Sequence, residues 1–190
     1  MQRVKIWDPV TRLWHWVLVV NMGLCWAFGE FMSLDTVRWH FYLGYVILGL
    51  MVFRLVWGLI GPAPIRLSHL FPRPSALLQY LKTLASREPS GTPGHNPLGA
   101  LSVVAILAVT ISLTSTGLFI ATDDFDEYGP LNRYVSDAIA GKFNFWHDIL
   151  ADAILTLVAL HVTALLFYLI WKKENLIRPM ITGWKWVRRD

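Results

Sequence analysis

A chain of 190 residues that is 55% hydrophobic and only 16% charged is too apolar for an ordinary water-facing surface and calls for lipid around it. Its single cysteine, Cys25, excludes an intrachain disulfide, and the Cys-x-x-Cys-His run needed for covalent haem attachment is absent. The net charge of +4 gives no ground for a nucleic-acid partner, because the positions of the basic residues account for it.

Four apolar stretches are long enough to cross about 30 Å of hydrocarbon: residues 13–32, 39–60, 97–121 and 143–171. Each is expected to be a helix, since backbone polar groups inside lipid must be satisfied within the segment. No alternation of the β-barrel kind is visible. The expected fold class is therefore all-α, a bundle of four transmembrane helices forming one domain over residues 1–190. The first stretch follows a short basic segment, contains a histidine and lacks a small-residue cleavage site, so it reads as a retained span rather than a signal peptide. No soluble domain is expected before or after the membrane part. Trp7, Trp14, Trp39, Trp57, Trp146, Trp171, Trp184 and Trp186 fall near predicted helix ends, as an interfacial belt requires.

The basic residues set an orientation. Arg3, Lys5 and Arg12 precede the first span; Arg66, Arg73, Lys82 and Arg87 lie in the connection 61–96; Lys172, Lys173, Arg178, Lys185, Arg188 and Arg189 follow the fourth. All three segments fall on one side, which places both termini in the cytoplasm of a bacterial inner membrane. The opposite side carries a short turn with Glu30, Asp35 and Arg38, and an acidic connection, 122–142, with Asp123, Asp124, Asp126, Glu127 and Asp137. Prolines 62, 64, 72, 74, 89 and 93 divide the cytoplasmic connection. Between them, Leu77, Leu81, Leu84 and Ala85 share one face of a short helix expected over 75–88, lying on the bilayer.

Four histidines fall inside the spans at two depths. His15, near the start of the first span, matches His161, toward the end of the fourth; His40, at the start of the second, matches His147, at the start of the fourth. His147 and His161 are fourteen residues apart, which at 1.5 Å per residue separates them by about 21 Å along one helix and returns them to nearly the same face. They share a face but not a metal ion. A buried imidazole in lipid is costly unless its nitrogens are engaged, so such residues are functional candidates. Two neutral imidazoles complete the six-coordination of a haem iron and leave no open position for oxygen, which makes electron transfer the default chemistry. Proton relay by a haem-free transporter is the competing use. Zinc would need more ligands than the two available at each depth.

Other residues are compatible with a flat macrocycle. Gly44, four residues after His40, shares its face and would let a porphyrin approach the backbone, or would serve a close helix contact. Arg54, fourteen residues after His40, returns to that face where it would meet a propionate or snorkel to the surface. Arg12, three residues before His15, offers the same choice. Thr110, Ser112, Thr114, Ser115, Thr116 and Gly117 suit helix packing or pocket lining. Asp148 and Asp152 are expected at the start of the fourth helix, where carboxylates favour the positive helix end. His69 and His95 read as loop residues, with a proton-accepting or quinone-side role as the minor alternative.

One histidine in each of the first two spans and two at a spacing of fourteen in the last resemble the bacterial cytochrome b561 and nickel-hydrogenase cytochrome b subunit family. The matching pieces are Trp14-His15-Trp16, His40 with Gly44 and Arg54, the run Gly94-His95-Asn96-Pro97-Leu98-Gly99, Trp146-His147 and Leu160-His161. The resemblance implies two b haems, one ligated by His15 and His161 on the cytoplasmic side and one by His40 and His147 on the periplasmic side. It also implies electron exchange with the quinone pool. A periplasmic cytochrome c or a hydrogenase is the implied partner of an electron-transfer subunit; the alternative within the family is a stand-alone superoxide:quinone oxidoreductase. The acidic connection would attract a basic cytochrome c or repel superoxide, which favours a protein partner.

Overall fold

Proline following an acid or amide begins two of the long helices. The computed structural model, which describes residues 2–90, 92, 94–122 and 125–187, opens helix α1 (Pro9–Glu30) at Pro9. Asp8 caps it: its carboxylate accepts the Thr11 N–H at 3.0 Å and the Thr11 hydroxyl at 2.5 Å. Asn96 repeats the device before Pro97, accepting the Gly99 N–H at 2.8 Å. Each side chain satisfies an amide left without an intrahelical carbonyl, and proline at the first position has no amide to satisfy. Thus α1 starts four residues before the first apolar residue of its span.

The chain is mostly helical. In order it forms β1 (Gln2–Lys5), α1, α2 (Val37–Ile60), α3 (Pro74–Thr83), α4 (Pro97–Thr116), β2 (Ala121–Thr122), β3 (Glu127–Tyr128), α5 (Asp137–Ile170), α6 (Ile177–Thr182) and β4 (Trp184–Val187). Among the described residues, three helices are long and apolar enough to cross a membrane: α2, α4 and α5. The apolar run of α1 is diluted by His15, Asn21 and the rings of Trp14, Trp16 and Trp26.

Two boundaries differ from the sequence expectation for physical reasons. Helix α4 stops at Thr116 rather than 121 because its last hydroxyls turn back on the helix. Thr114 donates to Thr110 O at 2.9 Å and Thr116 to Leu113 O at 2.7 Å. Such bonds compete with the backbone ladder, and tighter turns follow through Leu118 and Phe119 before the β2–β3 hairpin. Helix α5 begins at Asp137, six residues early, because Asp137 supplies the acidic first turn and the next residues do not break a helix. At 34 residues it is about 51 Å long, so its ends exceed the hydrocarbon core. Asp148 and Asp152 are therefore exposed residues well inside α5, not its N-terminal carboxylates. The surface helix expected over 75–88 forms over Pro74–Thr83. Asp123, Asp124, Arg188, Arg189 and Pro93 lie outside the described residues.

The chain divides into two compact units. One comprises Met1–Trp14, Leu55–Ile106 and Thr156–Asp190. Here β1 pairs antiparallel with β4, Arg3 opposite Trp186 and Lys5 opposite Trp184. Ile6, Trp7 and Ile65 form its core with Trp57 and Met180 packed against them. Arg12 donates to Ile181 O, and Gly183, at φ +84°, turns the chain from α6 into β4. That left-handed conformation is open to glycine without Cβ strain.

A polar network fastens the same unit. Glu174 and Lys185 lie 2.6 Å apart with side chains 7% and 9% exposed. Glu174 also accepts the Ser90 N–H at 2.7 Å and hydroxyl at 2.8 Å, while Lys185 donates to Thr92 O at 2.8 Å. Lys172 donates to the carbonyls of Thr83, Ser86 and Glu88. Tyr168 joins Tyr80 and the Asn96 amide. Lys185 is matched by the Glu174 carboxylate, and the Lys172 ammonium is satisfied by three carbonyls, the kind of compensation that makes burying a charge tolerable.

The other unit comprises His15–Arg54 and Leu107–Leu155. Val37, Phe41 and Ile120 are its buried core, with Met32, Phe125 and Phe143 against them. Asn144 exchanges two hydrogen bonds with the backbone of Ala121, and Arg38 pairs with Glu127 of the hairpin.

Candidate functional site

His40 on α2 and His147 on α5 come together. Their ring centres are 6.2 Å apart and their planes cross at 72°. A metal–imidazole bond of about 2 Å, plus about 1 Å from nitrogen to ring centre, gives about 6 Å for two rings bound to one metal. The spacing would suit two rings on one metal ion.

Both rings are held from behind. His40 Nδ1 lies 2.8 Å from the carbonyl of Cys25 on α1. A carbonyl only accepts, so Nδ1 carries the proton and Nε2 keeps its lone pair. His147 Nδ1 lies 3.1 Å from Thr116 Oγ1, and the one hydroxyl proton of Thr116 is committed to Leu113 O at 2.7 Å. Thr116 therefore accepts from Nδ1–H, and His147 too keeps Nε2 bare. Two imidazoles in this tautomer cannot hydrogen-bond to each other through Nε2. They are arranged to bind an electrophile, and the hydrogen bonds behind them are the kind that orient metal-bound histidines.

Two glycines make room for the rings. A Cβ at Gly29 would stand 3.0 Å from both Cε1 and Nδ1 of His40, and one at Gly117 would stand 3.3 Å from Cε1 of His147. Neither Gly29 nor Thr116 is singled out by histidine spacing, because each meets its ring from a different part of the chain. Thr116 and Gly117 were legible only as part of a polar stretch open to packing or pocket lining.

The remaining candidates can be placed one by one. Gly44 has nothing within 4 Å of where its Cβ would be, so it makes no close helix contact; it leaves open space along the His40 face. Arg54 is 4% exposed, which excludes snorkelling to an open surface. His15 on α1 is half-buried with its ring 5.2 Å from that of Trp16, and His161 on α5 is half-buried. They fall in different compact units. Thr110, at 1% exposure, is a packing residue. His69 is exposed in a short turn, and the His95 ring lies 4.8 Å from that of Trp7.

Among the described residues no group of three or more His, Cys, Asp or Glu side chains could hold a metal ion. A metal between His40 and His147 must bring its other ligands with it, which a porphyrin does. The tautomers, the 6.2 Å spacing and the open flank at Gly44 all fit that group.

Comparison with known proteins agrees. Residues 6–183 match the family described as prokaryotic cytochrome b561. Two relatives, each named "Probable Ni/Fe-hydrogenase B-type cytochrome subunit", come from Azotobacter vinelandii and Azotobacter chroococcum mcd 1. Each is 22% identical over an alignment covering 98% of this chain and 90% of the relative. The family match spans nearly the whole chain, includes His15, His40, His147 and His161, and carries haem b and membrane electron transfer with it: the chain belongs to the prokaryotic cytochrome b561 family.

Proposed function

We propose that the chain is a di-haem b subunit that passes electrons between the quinone pool and a periplasmic redox protein, with α1 as a fourth membrane-spanning helix and both termini cytoplasmic. The carrying observation is the His40–His147 pair, with ring centres 6.2 Å apart and both Nδ1 atoms committed to acceptors. These residues ligate the outer haem. His15 and His161 ligate the inner one, a reading supported by their matched depths in α1 and α5. When bound, each haem supplies reversible one-electron chemistry. The two histidine pairs would hold the haems and fix their orientation, suiting them to electron transfer rather than oxygen binding. Arg54, buried in α2, pairs with a propionate of the inner haem.

The partner is the second part of the proposal. The two relatives are named as hydrogenase cytochrome subunits, which supports a hydrogenase, and the acidic residues Asp126, Glu127 and Asp137 of the outer connection support docking of a basic protein such as a cytochrome c. Haem content measured as the pyridine complex should give two b haems per chain in the purified protein. His40→Ala and His147→Ala should each lower this to one and leave the inner haem's spectrum intact. A purified protein with one haem or none refutes the di-haem reading. Salt-independent electron transfer to cytochrome c would remove the docking argument.

A further inference from the structure

The two outer imidazoles have unlike acceptors behind them. His40 donates to a main-chain carbonyl, that of Cys25, which no side-chain substitution removes. His147 donates to the Thr116 hydroxyl, which passes its own proton to Leu113 O. The Leu113 carbonyl also accepts the Gly117 N–H at 3.2 Å and is itself a hydrogen-bond partner of the His147 ring. We infer that Thr116 is a positioning residue that sets the reduction potential of the outer haem through His147, an inference that rests on His40 and His147 being its ligands.

The physical route is short. An Nδ1–H polarised toward an acceptor gives the imidazole part of the character of imidazolate, a stronger donor to iron, and this favours the ferric state. The hydroxyl of Thr116 is the better acceptor for being itself a donor to Leu113, since hydrogen bonds in a chain polarise one another. Thr116→Val puts a methyl group against Nδ1–H, weakens the donor and stabilises the ferrous state. For one neutral hydrogen bond the reduction equilibrium shifts on the order of fivefold, which at 59 mV per tenfold is about 40 mV toward higher potential. Thr114 provides the control: it bonds back to Thr110 O at 2.9 Å in the same helix one half-turn away, and the structure gives it no bond to an imidazole.

The test is an optical redox titration of the full-length protein with both haems bound, accompanied by electron paramagnetic resonance of the ferric state. Thr116→Val should retain both haems, raise the outer potential alone and move the outer ferric signal; Thr116→Ser should restore both values, and Thr114→Val should leave them unchanged. If the valine variant sheds its haem, Thr116→Ala, which adds no bulk beside the ring, is titrated instead with the same expectation. An outer potential that stays put or falls with both haems present, or an equal rise in Thr114→Val, overturns the role given to Thr116. Failure of the outer-haem assignment has a separate signature, since His40→Ala and His147→Ala would then leave haem content unchanged.

Discussion

Gly29 of α1 faces His40 of α2 so closely that a single added methyl group would stand 3.0 Å from both Cε1 and Nδ1 of the imidazole. A ring that held iron on one edge and donated to the Cys25 carbonyl on the other would have no free direction in which to yield. Gly29→Ala should weaken retention of the outer haem on the order of tenfold, as loss of ligand orientation does elsewhere. Gly23→Ala, six residues earlier on the same helix with nothing within 4 Å, is the control. It should keep both haems and gain up to about 1 kcal/mol from helix propensity. Haem-to-protein absorbance ratios after gel filtration separate the two.

Arg54 makes a second prediction. A cation shielded from solvent beside a haem favours the state with one more electron. Arg54→Gln should lower the inner haem's potential, shifting its reduction equilibrium roughly tenfold, the effect of about 1.4 kcal/mol. The outer haem should titrate as before. A spectroelectrochemical titration that resolves the two haems checks this, and an unmoved inner haem would dissociate Arg54 from it.

The Glu174–Lys185 pair gives a dependence on pH. Burial alone raises the Glu174 carboxyl, but the Lys185 ammonium and the Ser90 N–H and hydroxyl outweigh it and hold the group below the usual carboxylate range. A lowered folded-state pKa contributes stability that is present above the unfolded value, about 4.3, and lost as pH falls through the folded one. Wild-type protein should therefore lose thermal stability on passing from pH 7 to acid. Glu174→Gln should be less stable at pH 7 by about 3 kcal/mol, because it leaves Lys185 buried without its counter-ion. Its melting temperature should also vary less across the same acid range.

Asp8 acts in the same direction at the start of α1. Burial would raise its carboxyl, yet the hydroxyl and N–H of Thr11 lead the hydrogen bonds that bring it below its ordinary value. Its cap is strongest above the carboxylate range and fades as pH drops through the lowered pKa. Asp8→Ala should cost about 1 kcal/mol at neutral pH, whereas Asp8→Asn should keep most of the cap and lose its pH dependence. Thermal unfolding of both variants at two pH values decides it.

Helix positions were legible wherever hydropathy alone decides them, as in α2, whose expected span 39–60 became Val37–Ile60. Ends were less legible. The Asp8-Pro9 cap lies outside the apolar run that hydropathy detects, and the first turns of α5, with Asp137, Gly141 and Lys142, look like loop until their continuity with the apolar helix is seen. The histidines announced themselves by type and spacing. What holds them did not, because Cys25 O, Gly29 and Thr116 reach their rings across helices, and a one-dimensional pattern records no such neighbour. The β1–β4 sheet escaped for a related reason: Gln2–Lys5, with Val4 as its one apolar residue, carries no strand signal until its distant partner is known.

That sheet has a consequence for biosynthesis. Gln2–Lys5 is made before the long helices and pairs with Trp184–Val187, made after all of them. The two strands cannot pair until the second is made, so the small sheet closes only after the long helices have been synthesised. A nascent chain arrested before residue 184 would hold its helices yet leave its leading strand open to a protease.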